Sequence, residues 1–437
     1  MRMGVVLLIC LLAAFELRGA SQARSVLVFP FENRSSRSDL NWISESFAEV
    51  LSTRLESSAR SALGRNERKE AYDRLGIPVN SPLTLASAYK VAEVLGADWG
   101  VIGDFNVEGD RLSARARVLD LRTLKLASSL EANGQLADLI DLQTRLAWRI
   151  LALHDRGFTT GKEEDFSRRF PEVRLDAFEN YIRGVLATDD SSRVAFLTEA
   201  DRLNPAEHRA AFELARHFFQ QKDYAASAKW FRKLNETDAD YFESLFYLSV
   251  DEFFLGRDAE AEKGFEALAK EVPLNEVWNN LGVMKARRGR HAEALASFER
   301  AYQRDRADPD FCFNRAVSLW YLKQYDQAAR ALEETLRANP EDSEAHTLMV
   351  TVLGRLGDST GEQRELQWLA DREGNSPADV QGDFLPQARL KKNYDGRAFR
   401  LLTVMARKAP EARLADGPAD DRGQGGPKRV SATGKTP

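Results

Sequence analysis

A repeat of about 34 residues dominates the chain between positions 205 and 374. One slot of the repeat is filled in successive copies by Ala211, Leu245, Trp278, Cys312 and His346, at spacings of 34, 33, 34 and 34. A second slot holds Ser227, Ala261, Ala294, Ala328 and Glu362, and a third holds Phe231, Phe265, Phe298, Leu332 and Leu366. Periods of this length indicate stacked units that bury a shared core, each contacting only its neighbours. We therefore predict a helical solenoid over this stretch.

The clearest copy identifies the type of repeat. It reads Trp278-x2-Leu281-Gly282, followed by Gly289, Ala294, Phe298 and Ala301. This pattern resembles the tetratricopeptide (TPR) repeat, a helix–turn–helix unit. Small residues would let the two helices approach and aromatic residues would fill the space between units, so we interpret these positions as core. The glycines that recur at the turn between the helices are Gly256, Gly289 and Gly357.

We predict that the array spans residues 156–374 and comprises about six helical hairpins. A looser copy from Ala177 to Pro205 is interpreted as a degenerate first unit. The last unit is also atypical, because Glu362 occupies the slot of a small residue. Terminal repeats are expected to differ from the others because one of their faces meets water.

The first residues have the features of a targeting segment. Arg2 precedes an apolar run from Val5 to Phe15, and Ser21-Gln22-Ala23 is a small-x-small site. This arrangement is typical of a secretory signal peptide, so we expect removal of residues 1–23 and export to the periplasm. A membrane-anchored protein that keeps the segment is the alternative, although the run is shorter than the about 20 residues of a membrane span. A lipoprotein signal is a further alternative, but Cys10 lies inside the apolar run.

The net charge and the number of cysteines limit the expected partners and disulfide bonds. Removal of residues 1–23 would change the net charge from −5 to −6, and the chain has no basic block. Nucleic acid is therefore not an expected partner. Cys312 would be the single cysteine left, which precludes an internal disulfide bond. We expect no integral membrane segment after signal cleavage.

The pattern changes over residues 24–155, where we predict an α/β domain. An apolar run from Val26 to Phe31 predicts a buried strand, and alternating residues flank the turn at Gly109 as in a hairpin. The expected helices run from 39–41 to Leu55, from Leu83 to Leu95 and from Leu136 to Leu153, and the later strands are 98–105, 112–121 and 124–130. This order predicts a small sheet with helices on one face. The predicted fold class is thus an α/β amino-terminal domain followed by an all-α TPR solenoid.

Two stretches of this domain resemble a known family. Val28-Phe29-Pro30-Phe31-Glu32-Asn33-Arg34-Ser35 is similar to the opening of the TolB amino-terminal-like domain. Leu95-Gly96-Ala97-Asp98 and the hairpin 103–121 resemble its second half. The resemblance implies an envelope-associated binding or accessory domain over 24–155 without catalytic residues. TolB carries a β-propeller downstream, whose repeat is not found in this sequence, so the partners of TolB are not carried over.

The motifs of catalysis and of metal binding are not found in the sequence. No two of the five histidines have the spacing of H-E-x-x-H, and Gly434-Lys435-Thr436 lacks the upstream glycine of a phosphate loop, where Arg429 stands. Cys312 falls on a core face and is interpreted as a buried apolar residue. We therefore predict that the protein is not an enzyme and uses no cofactor and no metal.

The predicted binding surface is the concave groove that the first helices of TPR units line. Aromatic, arginine and asparagine side chains there offer apolar anchors and hydrogen-bond donors for a peptide. We expect Arg209 and Arg216 to meet acidic groups of the peptide. Several of the aromatic residues could instead pack under the adjacent helix. The predicted groove residues are Arg209, Phe212, Arg216, Phe219, Phe246, Phe253, Asn279, Asn280, Arg287, Phe313, Asn314, Trp320 and Arg355.

Two hypotheses of function follow. In the first, the protein is a non-catalytic exported scaffold that holds a protein or peptide segment of the cell envelope in the groove. In the second, it is an envelope-assembly or sensing accessory protein whose TolB-like domain binds the partner and whose repeats form a homo-oligomer. The rest of the chain is predicted as a C-terminal helical segment, 375–409, with one helix from Gly396 to Lys408, and a disordered tail, 410–437, rich in glycine, proline and charged residues.

Overall fold

The computed structural model describes residues 24–57, 60–78, 83–155, 157–158, 161–373, 384–396, 398–400, 402–403 and 406. The predicted signal peptide (1–23) and disordered tail (410–437) lie outside the described residues. Two compact units make up the chain, Met1–Glu213 and Leu214–Pro437. Among the described residues, no helix is both long and apolar enough to cross a membrane.

A mixed sheet forms the centre of the first unit. Its strands are β1 (Arg24–Val28), β2 (Glu32–Asn33), β3 (Arg60–Leu63), β4 (Trp99–Glu108), β5 (Arg111–Asp120), β6 (Lys125–Leu126) and β7 (Leu130–Gln135). The order is β3-β1-β4-β5-β6, with β2 beside β4 and β7 beside β5. β1 is parallel to both β3 and β4, whereas β4 and β5 form an antiparallel hairpin. Gly109 closes that hairpin in the left-handed conformation, with φ of 60°.

Four helices accompany the sheet: α1 (Trp42–Leu55), α2 (Arg65–Leu75), α3 (Leu85–Val94) and α4 (Leu139–His154). α1 packs against β1 and α4. Its Phe47 stacks on Phe31, with ring centroids 4.3 Å apart, and on Phe105 at 5.8 Å. β3 and α2 were not predicted. α2 is mostly charged, and its buried apolar contacts come from only Ala71 and Tyr72, so it has no apolar stripe that periodicity could detect.

Further helices complete the first unit: α5 (Glu163–Ser167), α6 (Leu175–Leu186) and α7 (Asp190–Leu203). α6 and α7 form a helical hairpin. Gly184 permits their close approach, because a Cβ atom there would lie 2.6 Å from Leu197 Cγ. The next helix, α8 (Arg209–Gln220), begins in the first unit and ends in the second.

The second unit continues with a series of helices. They are α9 (Tyr224–Phe231), α10 (Tyr241–Phe254), α11 (Asp258–Glu271), α12 (Asn275–Arg287), α13 (His291–Arg304), α14 (Pro309–Tyr321), α15 (Tyr325–Ala338), α16 (Ser343–Leu356) and α17 (Ser359–Glu373). From α9 onward, each helix packs against the next along the chain; α12 also contacts α14, and α14 contacts α16. The predicted fold class, an α/β domain followed by an all-α solenoid, is confirmed.

The turns between paired helices repeat the period of the sequence. Their left-handed residues are Lys222, Gly256, Gly289, Lys323 and Gly357, with φ between 59° and 76°. Three of these positions hold the glycines that the sequence pattern singled out. At Lys222 and Lys323 the same turn forms without glycine, so the conformation belongs to the repeat and not to the residue type.

The core of the repeats contains the small and aromatic slots of the pattern. Ala261, Ala294 and Ala328 are fully buried, as are Phe265 and Phe298. A Cβ atom on Gly282 would lie 2.5 Å from the ring of Phe298. The lack of a side chain at Gly282 therefore lets α12 and α13 approach each other closely.

Residues 384–395, here named the groove segment, follow the repeats. The segment has no regular secondary structure, and the described residues between 396 and 406 are helical. Within the predicted C-terminal segment, 375–409, the predicted helix 396–408 agrees with the described residues from 396 to 406, whereas residues 384–395 are not helical. The physical reason is that the backbone groups of Arg389 and Lys391 bond to side chains of the repeats instead of forming helical hydrogen bonds.

Candidate functional site

The groove segment lies across α12 and α14, where asparagine side chains hold its backbone. Asn314 accepts a hydrogen bond from the N–H of Arg389 at 2.6 Å and donates to its carbonyl oxygen at 2.8 Å. Asn280 does the same with Lys391, at 2.8 Å for each bond. Asn279 donates a further bond to the Arg389 carbonyl oxygen at 2.9 Å. These side chains thus pair with the peptide as a neighbouring β-strand would.

The pattern of bonds defines the conformation of the segment. The N–H and C=O of one residue point the same way only in extended chain, and residues two apart then face the same side. Residues 389 and 391 meet both conditions. The asparagines also orient one another, because Asn314 donates to Asn279 Oδ1 at 2.7 Å and Asn279 donates to Asn280 Oδ1 at 3.2 Å. All three are fully buried, so the clamp is shielded from water.

The side chain of Arg389 enters an acidic pocket. Its guanidinium donates to both carboxylate oxygens of Asp342 at 2.6 Å, and to Glu344 at 2.8 Å. A longer bond of 3.2 Å reaches Asp310. The guanidinium carbon also lies 3.6 Å from the ring centroid of Phe313. Bidentate carboxylate pairing and an aromatic face together match the geometry of arginine better than that of lysine.

Lys391 occupies a second acidic position. Its ammonium nitrogen lies 2.7 Å from Asp310 and 2.9 Å from Asp308. Asp308 is also the N-cap of α14, where it accepts from the N–H of Asp310 at 2.9 Å. Asp342 caps α16 in the same way, through the N–H of Ala345 at 3.1 Å. The fold therefore fixes these carboxylates at helix N-termini, where negative charge is stabilised.

The pairing changes the ionisation of both partners. Burial alone would raise the pKa of Asp342, but the Arg389 guanidinium and the N–H of Ala345 hold that pKa below its ordinary value. Burial opposes the charge of Lys391, yet Asp310 and Asp308 raise its pKa. The pocket thus keeps the paired groups charged even though both are partly removed from water.

Aromatic contacts anchor the far end of the groove segment. The ring of Tyr394 meets Phe246 of α10 edge-on, with centroids 4.8 Å apart, and lies 5.8 Å from Tyr247. Burial raises the pKa of the Tyr394 hydroxyl well above its ordinary value. Phe399, in the helical part that follows, is 6% exposed and joins the core of the middle repeats. The segment is therefore bound by backbone, charge and apolar contacts together.

Five of the predicted groove residues contact this segment: Phe246, Asn279, Asn280, Phe313 and Asn314. Arg216 and Phe219 line a small cavity of about 340 Å³ together with Lys392 and Asn393. The structure thus brings seven of the predicted residues to the path of the groove segment.

The other predicted residues have different surroundings. Arg209 belongs to the first unit, where it pairs with Glu207 at 2.7 Å and lies over the rings of Phe178 and Tyr181. Arg287 lies 4.6 Å from the ring centroid of Phe253 and pairs with Asp258. Of the remaining residues, Phe212 is buried, Trp320 meets Tyr321 edge-on and Arg355 is exposed. Their role in binding stays a prediction.

Sequence reasoning missed the acidic half of the site. Asp308, Asp310, Asp342 and Glu344 precede or begin the first helices of two consecutive units, with Asp308 and Asp342 one repeat apart. Acidic residues at such positions are ordinary helix caps, so the sequence offered a structural reason for each. The signal that could have revealed them is the match between two acidic caps at repeat spacing and the basic pair Arg389-x-Lys391 downstream.

The first unit contains a second candidate, a cleft of about 1060 Å³. It is lined by residues of the Val28–Ser35 stretch, by Asp104 of β4 and by the turn of the helical hairpin α6–α7, including Arg183 and Asp189. Arg34 lies 3.1 Å from Glu32 and 3.7 Å from Asp104, so its charge is already partnered.

The side chains that could bind a metal ion or act as a nucleophile have surroundings that favour a structural role. Among the described residues, no group of three or more histidine, cysteine, aspartate or glutamate side chains is placed to hold a metal ion. Cys312 is fully buried, and burial raises the pKa of its thiol to about 11, which disfavours the reactive thiolate. His346 stacks on Trp368 and bonds to Glu365 at 2.6 Å.

Comparisons with known proteins agree on the helical region. Two tetratricopeptide repeat models match the sequence, one over residues 192–241 and 250–310 and the other over residues 286–350. A TPR repeat-containing thioredoxin from Arabidopsis thaliana, TTL4, is 30% identical over 98 residues. That match covers 22% of this chain and 14% of the relative, so this chain spans only a small part of the length of TTL4.

Similar solved structures include MamA (14% identity, 41% of this chain, 98% of that chain, TM-score 0.36) and PilF of Pseudomonas aeruginosa (16%, 47%, 96%, 0.39). A third is YrrB, described as a TPR protein with an unusual peptide-binding site (15%, 48%, 97%, 0.36). The family models, the period of the sequence and the repeated turn agree with one another. Residues 192–241 and 250–350 of this protein contain tetratricopeptide repeats.

Proposed function

We propose that the protein is a non-catalytic scaffold that holds an extended segment of a partner protein in the groove of its repeats. Tetratricopeptide repeats are modules of protein–protein interaction. One observation carries the proposal, namely that Asn280 and Asn314 each bond to both the N–H and the C=O of an extended chain. Because these hydrogen bonds are made to backbone groups, they can form with any peptide that adopts this conformation.

The test is capture of a partner by the purified full chain from envelope extract. We expect Asn280→Ala combined with Asn314→Ala to lose the partner, because its backbone groups would be left without partners in the groove. The matched control is Asn339→Ala, which removes an exposed asparagine of the same repeats. Circular dichroism checks that each variant is folded. A folded double variant that captures the partner as well as the parent does would refute the groove as the site.

We place this scaffold in the periplasm. Support comes from the signal-like pattern of Met1–Ala23 and from the resemblance of residues 24–155 to the TolB amino-terminal-like domain. The mature protein in the periplasmic fraction is expected to begin at Arg24, which amino-terminal sequencing measures. A chain that still begins at Met1 in the membrane fraction would instead be a membrane-anchored protein.

The cleft of the first unit favours one alternative function, in which the amino-terminal domain binds the partner and the repeats form a homo-oligomer. Its size and its mixed polar and apolar lining would suit a protein or peptide contact. Arg34→Glu in the full chain separates the two functions. Loss of the partner with Arg34→Glu, but not with the asparagine variants, would favour the amino-terminal domain.

A further inference from the structure

We propose that the groove selects a basic partner segment with an Arg-x-Lys sequence, and that the groove segment, residues 384–395, is an internal ligand with which this partner competes. The inference deepens the proposed function and rests on it, since both need the groove to bind peptide. It adds the charge of the partner and a mechanism that keeps the groove filled until a partner arrives.

The charge of the partner follows from the carboxylates that the groove segment satisfies. Asp342, Glu344 and Asp310 surround one guanidinium, while Asp308 and Asp310 share one ammonium group. Asp342 is 7% exposed, so it is largely removed from water. A segment without positive charge would leave these carboxylates close together and without those counter-charges, which is unfavourable in a partly desolvated site.

The spacing of the partner follows from the clamp. Asn314 and Asn280 hold residues 389 and 391, and it is the side chains of these two residues that enter the acidic positions. An extended peptide directs the side chains of residues two apart to the same face. Arginine and lysine separated by one residue therefore satisfy both the backbone clamp and the acidic positions in one register.

Lys392, which follows this pair, is less constrained than the two clamped residues. Lys392 is exposed and has no carboxylate partner among the described residues; its ammonium nitrogen lies 4.6 Å from the ring centroid of Phe254. The same increase in negative charge at Lys391 and at Lys392 should therefore have different effects. This pair of adjacent lysines provides a control with matched chemistry inside the ligand itself.

Competition follows from the covalent connection. The groove segment belongs to the same chain as the groove, so its binding is intramolecular and its effective concentration is of the order of millimolar. A free peptide with identical contacts must overcome that concentration to enter. A partner would succeed through additional contacts elsewhere or through several copies of the segment.

The experiment measures fluorescence anisotropy of a labelled synthetic peptide with the sequence of residues 384–400, titrated with the full chain. One form of the protein is the parent, and the other carries Arg389→Glu and Lys391→Glu, which replaces attraction by repulsion in the internal ligand. We expect the variant to bind the peptide at least about tenfold more tightly than the parent. Equal affinities in the two folded proteins would overturn the internal competition.

Peptides with reversed charges test whether the groove selects a basic segment. A peptide with Arg389→Glu and Lys391→Glu is expected to bind the variant protein about 30-fold more weakly or worse, whereas Lys392→Glu should cost less than about fivefold. Equal binding of the basic and the acidic peptide would overturn the selectivity and leave the groove function intact. If the folded variant binds no peptide of either charge, the proposed groove function itself fails.

Two controls keep the result interpretable. If the double charge reversal unfolds the repeats, Arg389→Gln with Lys391→Gln removes the attraction without adding repulsion, and a smaller gain in peptide affinity is expected. Sedimentation of the parent protein measures whether the segment is exchanged between copies. A parent dimer that Arg389→Glu and Lys391→Glu convert to monomers would overturn the intramolecular assignment.

Discussion

The sheet of the first unit and the repeats of the second depend on contacts of different reach. β1 lies between β3 and β4, and Ser25 bonds to Asp98, 73 positions later. In the repeats, each helix packs mainly on the helices next to it in sequence. The groove segment is the exception, because Lys391 bonds to Asn280, 111 positions earlier. A sheet of this kind should respond to damage as a whole, whereas a solenoid should respond locally.

The largest effect is expected in the first unit, at the buried ion pair of Glu45 and Arg68. These side chains are 5% and 4% exposed, and Arg68 also donates to the carbonyl oxygen of Val28 at 3.0 Å. Glu45→Ala leaves a buried guanidinium without its carboxylate and should cost about 3–5 kcal/mol. Hydrogen exchange should then rise throughout β1, β4 and α1. The control, Glu70→Ala, removes an exposed carboxylate on α2 and should cost less than about 1 kcal/mol.

In the repeats, the effect of a destabilising substitution should be confined to neighbouring helices. Ala294 is fully buried in α13, so Ala294→Leu overpacks the contact with α12 and should cost about 1–3 kcal/mol. Hydrogen exchange is expected to rise in α12 to α15 and to stay unchanged in α17. Ala292→Leu adds the same atoms at an exposed position of the same helix and should have little effect. Accelerated exchange in every helix of the unit would show that the repeats unfold as one block.

A buried carboxyl group should make the stability of the repeats depend on pH. Burial raises the pKa of Asp251 in α10 to about 8, and the Ser227 hydroxyl offsets only part of this effect. The folded state therefore keeps a proton that the unfolded state loses near pH 4, and stability should fall as the pH rises from about 4 to about 8. The slope is on the order of 1 kcal/mol per pH unit.

The measurement is urea unfolding at pH 6, 7 and 8, monitored by hydrogen exchange in α10. Asp251→Asn should abolish the decline, since the amide cannot ionise, and should be more stable than the parent at pH 8. Asp326→Asn removes an exposed carboxylate and should leave the decline in place. A parent protein with constant stability over this range would contradict the buried ionisation.

The smallest effect concerns the turn shared by the repeats. Lys323 adopts φ of 59° where other units have glycine, a conformation that costs side-chain-bearing residues about 1–2 kcal/mol. Glycine loses more entropy on folding, which offsets about half of the gain. We expect Lys323→Gly to stabilise the repeats by about 0.5 kcal/mol in urea unfolding. Gly289→Ala, the reverse type of change at the same position of another unit, should destabilise them.

The repeats were accessible from sequence because their determinants are local and recur. Ala294, Phe298 and Gly289 stand at fixed distances from one another, and the same distances recur in the neighbouring units. β3 and α2 were not accessible in this way. α2 is held by Arg68, whose buried partners are Glu45 and the carbonyl oxygen of Val28, and a charged residue gives no sign in sequence that it is buried.

The candidate site likewise has one part that the sequence predicted and one part that it did not. Asn279, Asn280 and Asn314 were predicted as groove residues because helical spacing places side chains on a face irrespective of what they meet. The occupant of the groove was not predicted, since residues 384–395 carry no repeat period. Their conformation exists only where the groove supplies partners for their backbone groups.

Local periodicity therefore determined the helical repeats and the predicted face of their first helices. The tertiary structure alone decided that Asp342 and Glu344 converge on Arg389, and that the segment containing Arg389 lies in the groove. The physical reason is that an extended segment has no internal hydrogen bonds to stabilise it. Its place depends on side chains far away in sequence, which come together only when the repeats have stacked.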